Sequence, residues 1–412
     1  MFNIYTKSNI CNILDKIIFS CLFLYTLTFL LDLKINFLTT AFVFGLIKLI
    51  FIRPKITINS KCLYPIILFI ICTFLSVIFN DVSGPNIANL SVFKSRFITP
   101  LVGFAMAFLY PFNKHNVNLL FLGFSFSFLI NALSVIYQFI VGGYGERLTG
   151  INESYMLLCA VNLLILPIIF SLAIYKSNLS NKIRLFYLIT ILINIPAVVF
   201  ENTRIVYIGL GVIFPLIILF SFKNKIKAII CIILLFLYSF AFFSISPTSV
   251  NRFNTIAVTD KSDFSNYQRI LMWNSSINMF IDYPIFGVGI GNWHEQYNTK
   301  YRSPIPHDDY YHPHNVFLDM LSEAGILGGI SYLLLFIYLY YISIRNYLKK
   351  QDLITLAYIA SLLAYTLNGL TDCMFCGYNI KMPTMIFYFF TGIYFILNKN
   401  ILISFKNRIN LL

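Results

Sequence analysis

Apolar residues come in long blocks along this chain, separated by short polar links. Blocks of about 20 residues recur from end to end, each long enough to cross a bilayer core of roughly 30 Å. They predict twelve spans, at about 17–33, 36–52, 63–79, 97–112, 118–141, 156–174, 185–200, 205–221, 228–245, 317–344, 354–371 and 383–398. The first block has no small-residue cleavage site and is followed by further spans, so it reads as span one and not as a signal peptide. The expected class is an all-α polytopic membrane protein.

Composition supports that class. Of the 412 residues, 58% are hydrophobic and 11% charged, with a mean hydropathy of +0.79. A soluble protein of this size cannot hide that much apolar surface. The net charge of +14 would suit a nucleic-acid partner if it were clustered, but it is scattered between spans. With both termini cytoplasmic, one side collects Lys7, Lys16, Arg53, Lys55, Lys61, Lys114, Lys176, Lys182, Arg184, Lys223, Lys225, Lys227, Arg345, Lys349, Lys350, Lys399, Lys406 and Arg408, against only two acids, Asp15 and Asp352. The positive-inside rule selects that orientation.

The opposite, outward side then carries the polar loops: about 80–95, VGGYGERLTG at 141–150, the tight ENTR link at 201–204, and a long segment at 246–316. The last is large enough for a helical subdomain between spans nine and ten that contributes part of a site. Within it RILMWNSSINMF, 269–280, reads as an amphipathic helix lying on the membrane, with Ile270, Leu271, Trp273, Ile277 and Met279 as its apolar positions. The glycine-rich turn FGVGIGNW follows.

Candidate chemistry sits on this outward side. Arg204, at a span junction, is either an interfacial charge paired with Glu201 or a bidentate phosphate ligand. Arg269 is either a solvated or headgroup-binding charge or a functional one, Arg147 more weakly a functional loop charge rather than a solvated one, and convergence of these arginines would make a pocket for a dianionic headgroup such as a pyrophosphate. His307, Asp308, Asp309, His312 and His314 bring metal ligands to mind, but no helical ligand pair accompanies them. A general-base role for His314 fits better, because an imidazole titrates near neutral pH and accepts a hydroxyl proton. Asn315 is placed to cap the next helix, and Gly325, Gly328 and Gly329 allow close approach of a neighbour. Cys373 and Cys376 form a C-x-x-C outside any βαβ context, so a structural, free or disulfide-linked state is expected before a redox role.

His314-Asn315, then nine residues, then Gly325-x-x-Gly328 resembles the H-[NSQ]-x9-G-x-x-G signature of bacterial O-antigen ligases, within the O-antigen ligase/polymerase superfamily. RILMWNSSINMFIDYPIFGVGIGNW, ENTR and RLTGINESY resemble further motifs of that superfamily, in the same order. The resemblance implies a GT-C-like, inverting membrane glycosyltransferase in the bacterial inner membrane, with a periplasmic active site. The donor would be O-antigen polysaccharide on undecaprenyl pyrophosphate and the acceptor a sugar hydroxyl of lipid A–core. His314 would deprotonate the acceptor, and Arg204 and Arg269 would hold the pyrophosphate. Arg147, His312, Glu201 and Asp372 are further substrate-contact candidates, and neither metal nor other cofactor is implied. O-antigen polymerase, using the same donor, is the nearest rival; a polysaccharide flippase is a more distant one, since no inverted repeat is visible.

Overall fold

The structure is a computed structural model that describes residues 4–31, 37–51, 55–58, 62–142, 147–152, 154–175, 179–260, 263–303, 309–373, 381–398 and 401–404. It is a helical bundle. In chain order the helices are α1 (Ile4–Leu27), α2 (Phe37–Phe51), α3 (Tyr64–Phe79), α4 (Ile87–Phe93), α5 (Leu101–Leu109), α6 (Lys114–Ile140), α7 (Tyr155–Ile174), α8 (Asn181–Phe200), α9 (Arg204–Ser221), α10 (Lys225–Ser244), α11 (Pro247–Asn254), α12 (Phe264–Asp282), α13 (Trp293–Gln296), α14 (Val316–Lys350), α15 (Leu353–Asn368) and α16 (Met382–Leu397). A π-helical turn, Lys94–Ile98, extends α4. The helical class holds apart from a short ribbon, in which β1 (Lys55–Ile58) pairs antiparallel with β2 (Ile401–Ser404).

The polar links do structural work at helix starts. Asn113, Ser154, Ser180, Asn224 and Asp352 each accept a backbone N–H of the following first turn, satisfying donors that have no partner inside the helix. Among the described residues, seven helices are long and apolar enough to cross a membrane. The segment read as one span at 97–112 is instead a pair, Ile87–Ile98 and Leu101–Leu109, bent by 44°, and four apolar helices (α2, α3, α15 and α16) are shorter than 18 residues. α7 is the hub, with 94% of its apolar window buried inside the protein; it packs on α8, α9 and α15. At the other extreme α10 is only 6% buried.

α12 forms where the amphipathic helix is expected, but it buries a different face. Gln268, Met272, Ser275, Ser276 and Met279 point inward, while Ile277 is exposed; of the apolar positions expected to define the stripe, only Met279 is buried. The inward face joins Val288, Trp293 and Tyr297 in a small core of its own.

α14 is broken at Gly325, whose backbone adopts φ 62°, ψ −160°. The break leaves carbonyls without helical partners, and the glycine-rich turn supplies them. Val288 N donates to Ser322 O at 2.8 Å and Gly289 N to Glu323 O at 3.0 Å, while Ile326 N donates to Pro284 O at 2.8 Å. A Cβ on Gly325 would stand 2.2 Å from Ile285 O. Close approach to a neighbouring segment is therefore the role of Gly325 alone. Gly328 and Gly329 face Ala324 and Leu321 of the preceding part of α14 itself. Gly325→Ala combines a positive-φ, extended-ψ backbone that is essentially reserved for glycine, costing about 1–3 kcal/mol, with that backbone clash. The expected result is a clear loss of thermal stability and of purified yield, measurable by scanning fluorimetry in detergent.

Candidate active site

One end of the bundle gathers the ends of α6, α8, α10 and α15 with the starts of α7, α9 and α14. Its parts are joined by direct contacts. Asn131 and Gln138 of α6 hold the RLTG loop: Asn131 Oδ1 accepts from Ile151 N at 3.0 Å, and Gln138 exchanges two hydrogen bonds with Gly150, at 2.8 and 3.0 Å. This loop places the Arg147 guanidinium 4.6 Å above the Tyr155 ring.

The ENTR link reverses the chain through Asn202, whose φ of 57° is a left-handed conformation that asparagine tolerates. Arg204 then opens α9. Its expected pairing with Glu201 is not what forms. Arg204 makes an ion pair with Asp263, and it donates to Asn266 Oδ1 at 3.0 Å, Thr255 Oγ1 at 2.6 Å and Arg252 O at 3.2 Å. The Arg204 guanidinium holds Asp263 below the usual carboxylate range against the opposing effect of burial.

Glu201 is turned inward instead and accepts from Asn162 Nδ2 at 2.7 Å. Burial pushes its carboxyl up to about 8, so it is neutral at physiological pH. An acid raised in the folded state costs stability wherever the unfolded chain ionises it. Stability is therefore full below the ordinary value of 4.5 and declines as pH rises toward about 8. Glu201→Gln should remove that slope, raising Tm at mildly alkaline pH and leaving it unchanged in acid.

Arg269 lies six residues after Asp263, the N-cap of α12, in the second turn of that helix. It donates to Ser265 Oγ at 3.2 Å and Asn266 Oδ1 at 3.3 Å, so it shares Asn266 with Arg204. Its Nε is buried with no hydrogen-bond partner. Burial lowers its basicity, Asp372 opposes that, and the nearby charges of Arg204 and Arg147 add to it. The four groups thus belong to one electrostatic cluster.

His314 completes it. α12 fixes the loop before it, since Trp273 Nε1 donates to Pro313 O at 3.0 Å, and Asn315 caps α14 as expected, accepting from Leu318 N at 3.1 Å. Between these anchors His314 is held at φ 52°, a conformation that costs a non-glycine residue about 1–2 kcal/mol and that clusters at functional sites. Its Nδ1 stands 3.4 Å from Asp372 Oδ1. Asp372 stays below the usual carboxylate range because His314 outweighs its burial. His312, whose Nδ1 accepts from His314 N at 3.3 Å, is pushed down to about 3 by burial and by His314, and so is a neutral ring.

His312, His314 and Asp372 present ligand atoms within 4.8 Å of one another, and this is where a cation would sit if the site used one. His307 and Asp308 lie outside the described residues, as does Cys376; Cys373 is buried and free.

Beneath the histidines is a charged group that the sequence reading left unassigned. Arg96, from the π-helical turn, donates to Asp319 Oδ2 and Glu323 Oε2, both at 2.5 Å, with all three side chains at most 2% exposed. The other Glu323 oxygen accepts from Gly291 N at 3.0 Å and Trp293 N at 3.3 Å, tying the glycine-rich turn to the floor of the site. Two carboxylates four residues apart in an apolar stretch were the available signal; their partner, 227 positions away from Glu323, carried none. Arg252 and Asp263 were missed as well, although Asp263 opens α12 as a recognisable N-cap, accepting from Asn266 N at 3.0 Å.

Residues 186–333 match the family model described as O-Antigen ligase. The matched stretch contains the ENTR link, α12, the glycine-rich turn and His314. That match supports a likeness to the O-antigen ligase/polymerase superfamily. No curated protein matches the chain. Arg147 and Asp372, both named as candidates from the sequence, lie outside the matched stretch, and the tertiary structure brings them beside it. Family and helices together support an O-antigen ligase or polymerase-type activity in a multi-pass membrane protein.

Proposed function

We propose that the protein is an O-antigen ligase: a GT-C-like inverting glycosyltransferase with twelve spans and a periplasmic site in the inner membrane. It would move O-antigen polysaccharide from undecaprenyl pyrophosphate to a sugar hydroxyl of lipid A–core. One observation carries the reading. His314, Arg269 and Arg204, separated in sequence, share one end of the bundle through Asp372 and Asn266.

In this mechanism His314 takes the acceptor's proton, with Nδ1 turned to Asp372 so that Nε2 addresses the hydroxyl and the carboxylate stabilises the resulting imidazolium. The acceptor oxygen forms a bond to the anomeric carbon as the bond to the pyrophosphate oxygen breaks, and the lipid pyrophosphate leaves with the electron pair. Preorganised guanidinium groups neutralise the charge that develops on it. Arg269, with an unused Nε, is the direct ligand. Arg204 adds its field and organises Asp263 and Asn266; binding phosphate itself would require exchanging Asp263. His312 presents a neutral donor or acceptor to substrate.

Reconstitution with purified lipid-linked glycan and lipid A–core, in chelator and without nucleotide, tests the reading. Glycan should appear on the core. Joining of one lipid-linked glycan to another would assign a polymerase, and a requirement for added divalent cation would assign the His312–His314–Asp372 group to a metal. In cells, loss of a ligase leaves long lipid-linked chains and a bare core, whereas loss of a polymerase leaves single repeats on the core.

A further inference from the structure

Asn368 closes α15 at the end of the bundle that holds the candidate site. Its backbone carbonyl accepts from Thr371 N at 3.1 Å and from Asp372 N at 3.0 Å, so the last turn carries on past the end of the helix. Residues three and four apart in such a turn are neighbours on one face. The Asn368 carboxamide therefore lies alongside Thr371 and Asp372, and Asp372 is the carboxylate that faces His314. Val316 N donates to Gly369 O at 2.9 Å and Asn315 Nδ2 to Leu370 O at 3.1 Å, which ties this turn to the residues directly after His314. On α7, Cys159 Sγ donates to Asn368 Oδ1 at 3.3 Å, and Cys159 lies within the fields of Asp372, Glu201, Arg269 and Arg147. Asn368 thus has the partner of the base on one side and, through Cys159, the arginine cluster on the other.

The carboxamide is only half used. Asn368 is 1% exposed, yet its Nδ2 has no hydrogen-bond partner among the described residues, and the same holds for the buried Thr371 Oγ1 and for Arg269 Nε. Leaving a buried polar group unpaired is costly, and three such groups at one end of the bundle are what a polar ligand would complete. Their chemistry divides the ligand between them. The guanidinium suits a phosphate, whereas a carboxamide and a hydroxyl carry no charge and suit neutral oxygens. In the reaction above, the group that lies between the base and the arginines is the sugar that changes partners. Beside its reacting carbon stand the ring oxygen and the substituent at C2. A donor to the ring oxygen would oppose the positive charge that develops there, but hydrogen bonds at C2 strengthen in such a transition state.

We propose that Asn368 is a catalytic residue that donates from Nδ2 to the C2 substituent of the transferred sugar, with the Thr371 hydroxyl as a second contact. The assignment rests on the reaction read in the preceding subsection, and adds to it a neutral subsite for the reacting sugar.

Single-turnover transfer to lipid A–core is measured in proteoliposomes with two donors. One is a single repeat on polyprenyl diphosphate, and the other is its counterpart in which hydrogen replaces the C2 substituent of the sugar joined to the diphosphate. Wild type should prefer the native donor, and Asn368→Ala should cut that preference by about five- to tenfold, the worth of one hydrogen bond. Thr371→Val should cut it by less. Comparing two donors on one variant removes any common loss from imperfect folding, and a residue that merely held α15 against α7 would slow both donors equally. Asn368→Ser supplies the comparison if the alanine variant is inactive. A preference that is the same in wild type and in the Asn368 variants, or a wild type indifferent to the C2 substituent, would overturn the contact. A wild type that transfers from neither donor sinks the donor class itself, and this inference with it.

Discussion

Replacing His314 with asparagine should lower transfer by about 10²–10⁴-fold, the range a positioned general base contributes, with membrane insertion and Tm retained. Asparagine is the informative substitution because of the backbone. His314 sits at φ 52°, where Asn is among the few residues accommodated easily, so the loop between Trp273 and Asn315 keeps its course while the titratable ring is lost. Alanine removes the same base but adds conformational cost, and should be no more active than asparagine. Removing Asp372 should leave a partial defect, since His314 would keep its place on the loop but lose the carboxylate 3.4 Å from Nδ1. The measurement is single-turnover transfer with donor bound, which separates the chemical step from donor binding and product release. Full activity in His314→Asn would end the base assignment.

The second large effect is expected at Arg269. Arg269→Lys keeps a positive charge but discards the planar fork, and removal of one preorganised donor to a developing anion costs about 10²–10³ in kcat. The lysine variant should therefore lose activity despite an unchanged net charge. Arg204→Lys should also impair transfer, by a different route. Four of the Arg204 hydrogen bonds and its ion pair are made to Arg252, Asp263, Asn266 and Thr255, and a lysine cannot span them. Its signature is lowered stability along with lowered activity, whereas the signature at Arg269 is lowered kcat in a protein that melts normally. Normal kinetics in both lysine variants would end the phosphate-clamp reading.

Much of this site was legible as separate pieces. Arg204 stood out because a guanidinium beside an apolar block is expensive unless it is used, and Arg269 as the charge that begins the amphipathic segment. His314 stood out through its spacing to Gly325 and Gly328, and the capping role of Asn315 followed from its side chain and its place before an apolar run. What a local pattern could not supply was the pairing. Arg204 chose Asp263, 59 positions away, over the adjacent Glu201, and Glu201 went into the interior to meet Asn162. The apolar stripe assigned to α12 failed for a related reason. Mixed spacing does not define a face by itself, and the buried side of that helix was set by the Trp293 and Tyr297 rings it packs against.

By itself the sequence determined that this is a helical membrane protein, which segments are apolar enough to enter the bilayer, and which polar residues begin many of the helices. These are properties of short windows: transfer free energy sums over neighbouring residues, and a cap acts within one turn. Only the tertiary structure decided that Arg147, Arg204, Arg252 and Arg269 form one cluster with Asp372 and His314, that Arg96 is clasped by Asp319 and Glu323, and that α14 breaks at Gly325 to receive the glycine-rich turn. Those outcomes depend on which distant groups a fold leaves within a few ångströms of each other in a low-dielectric interior. There each buried charge and each freed carbonyl must find a partner wherever in the chain it lies.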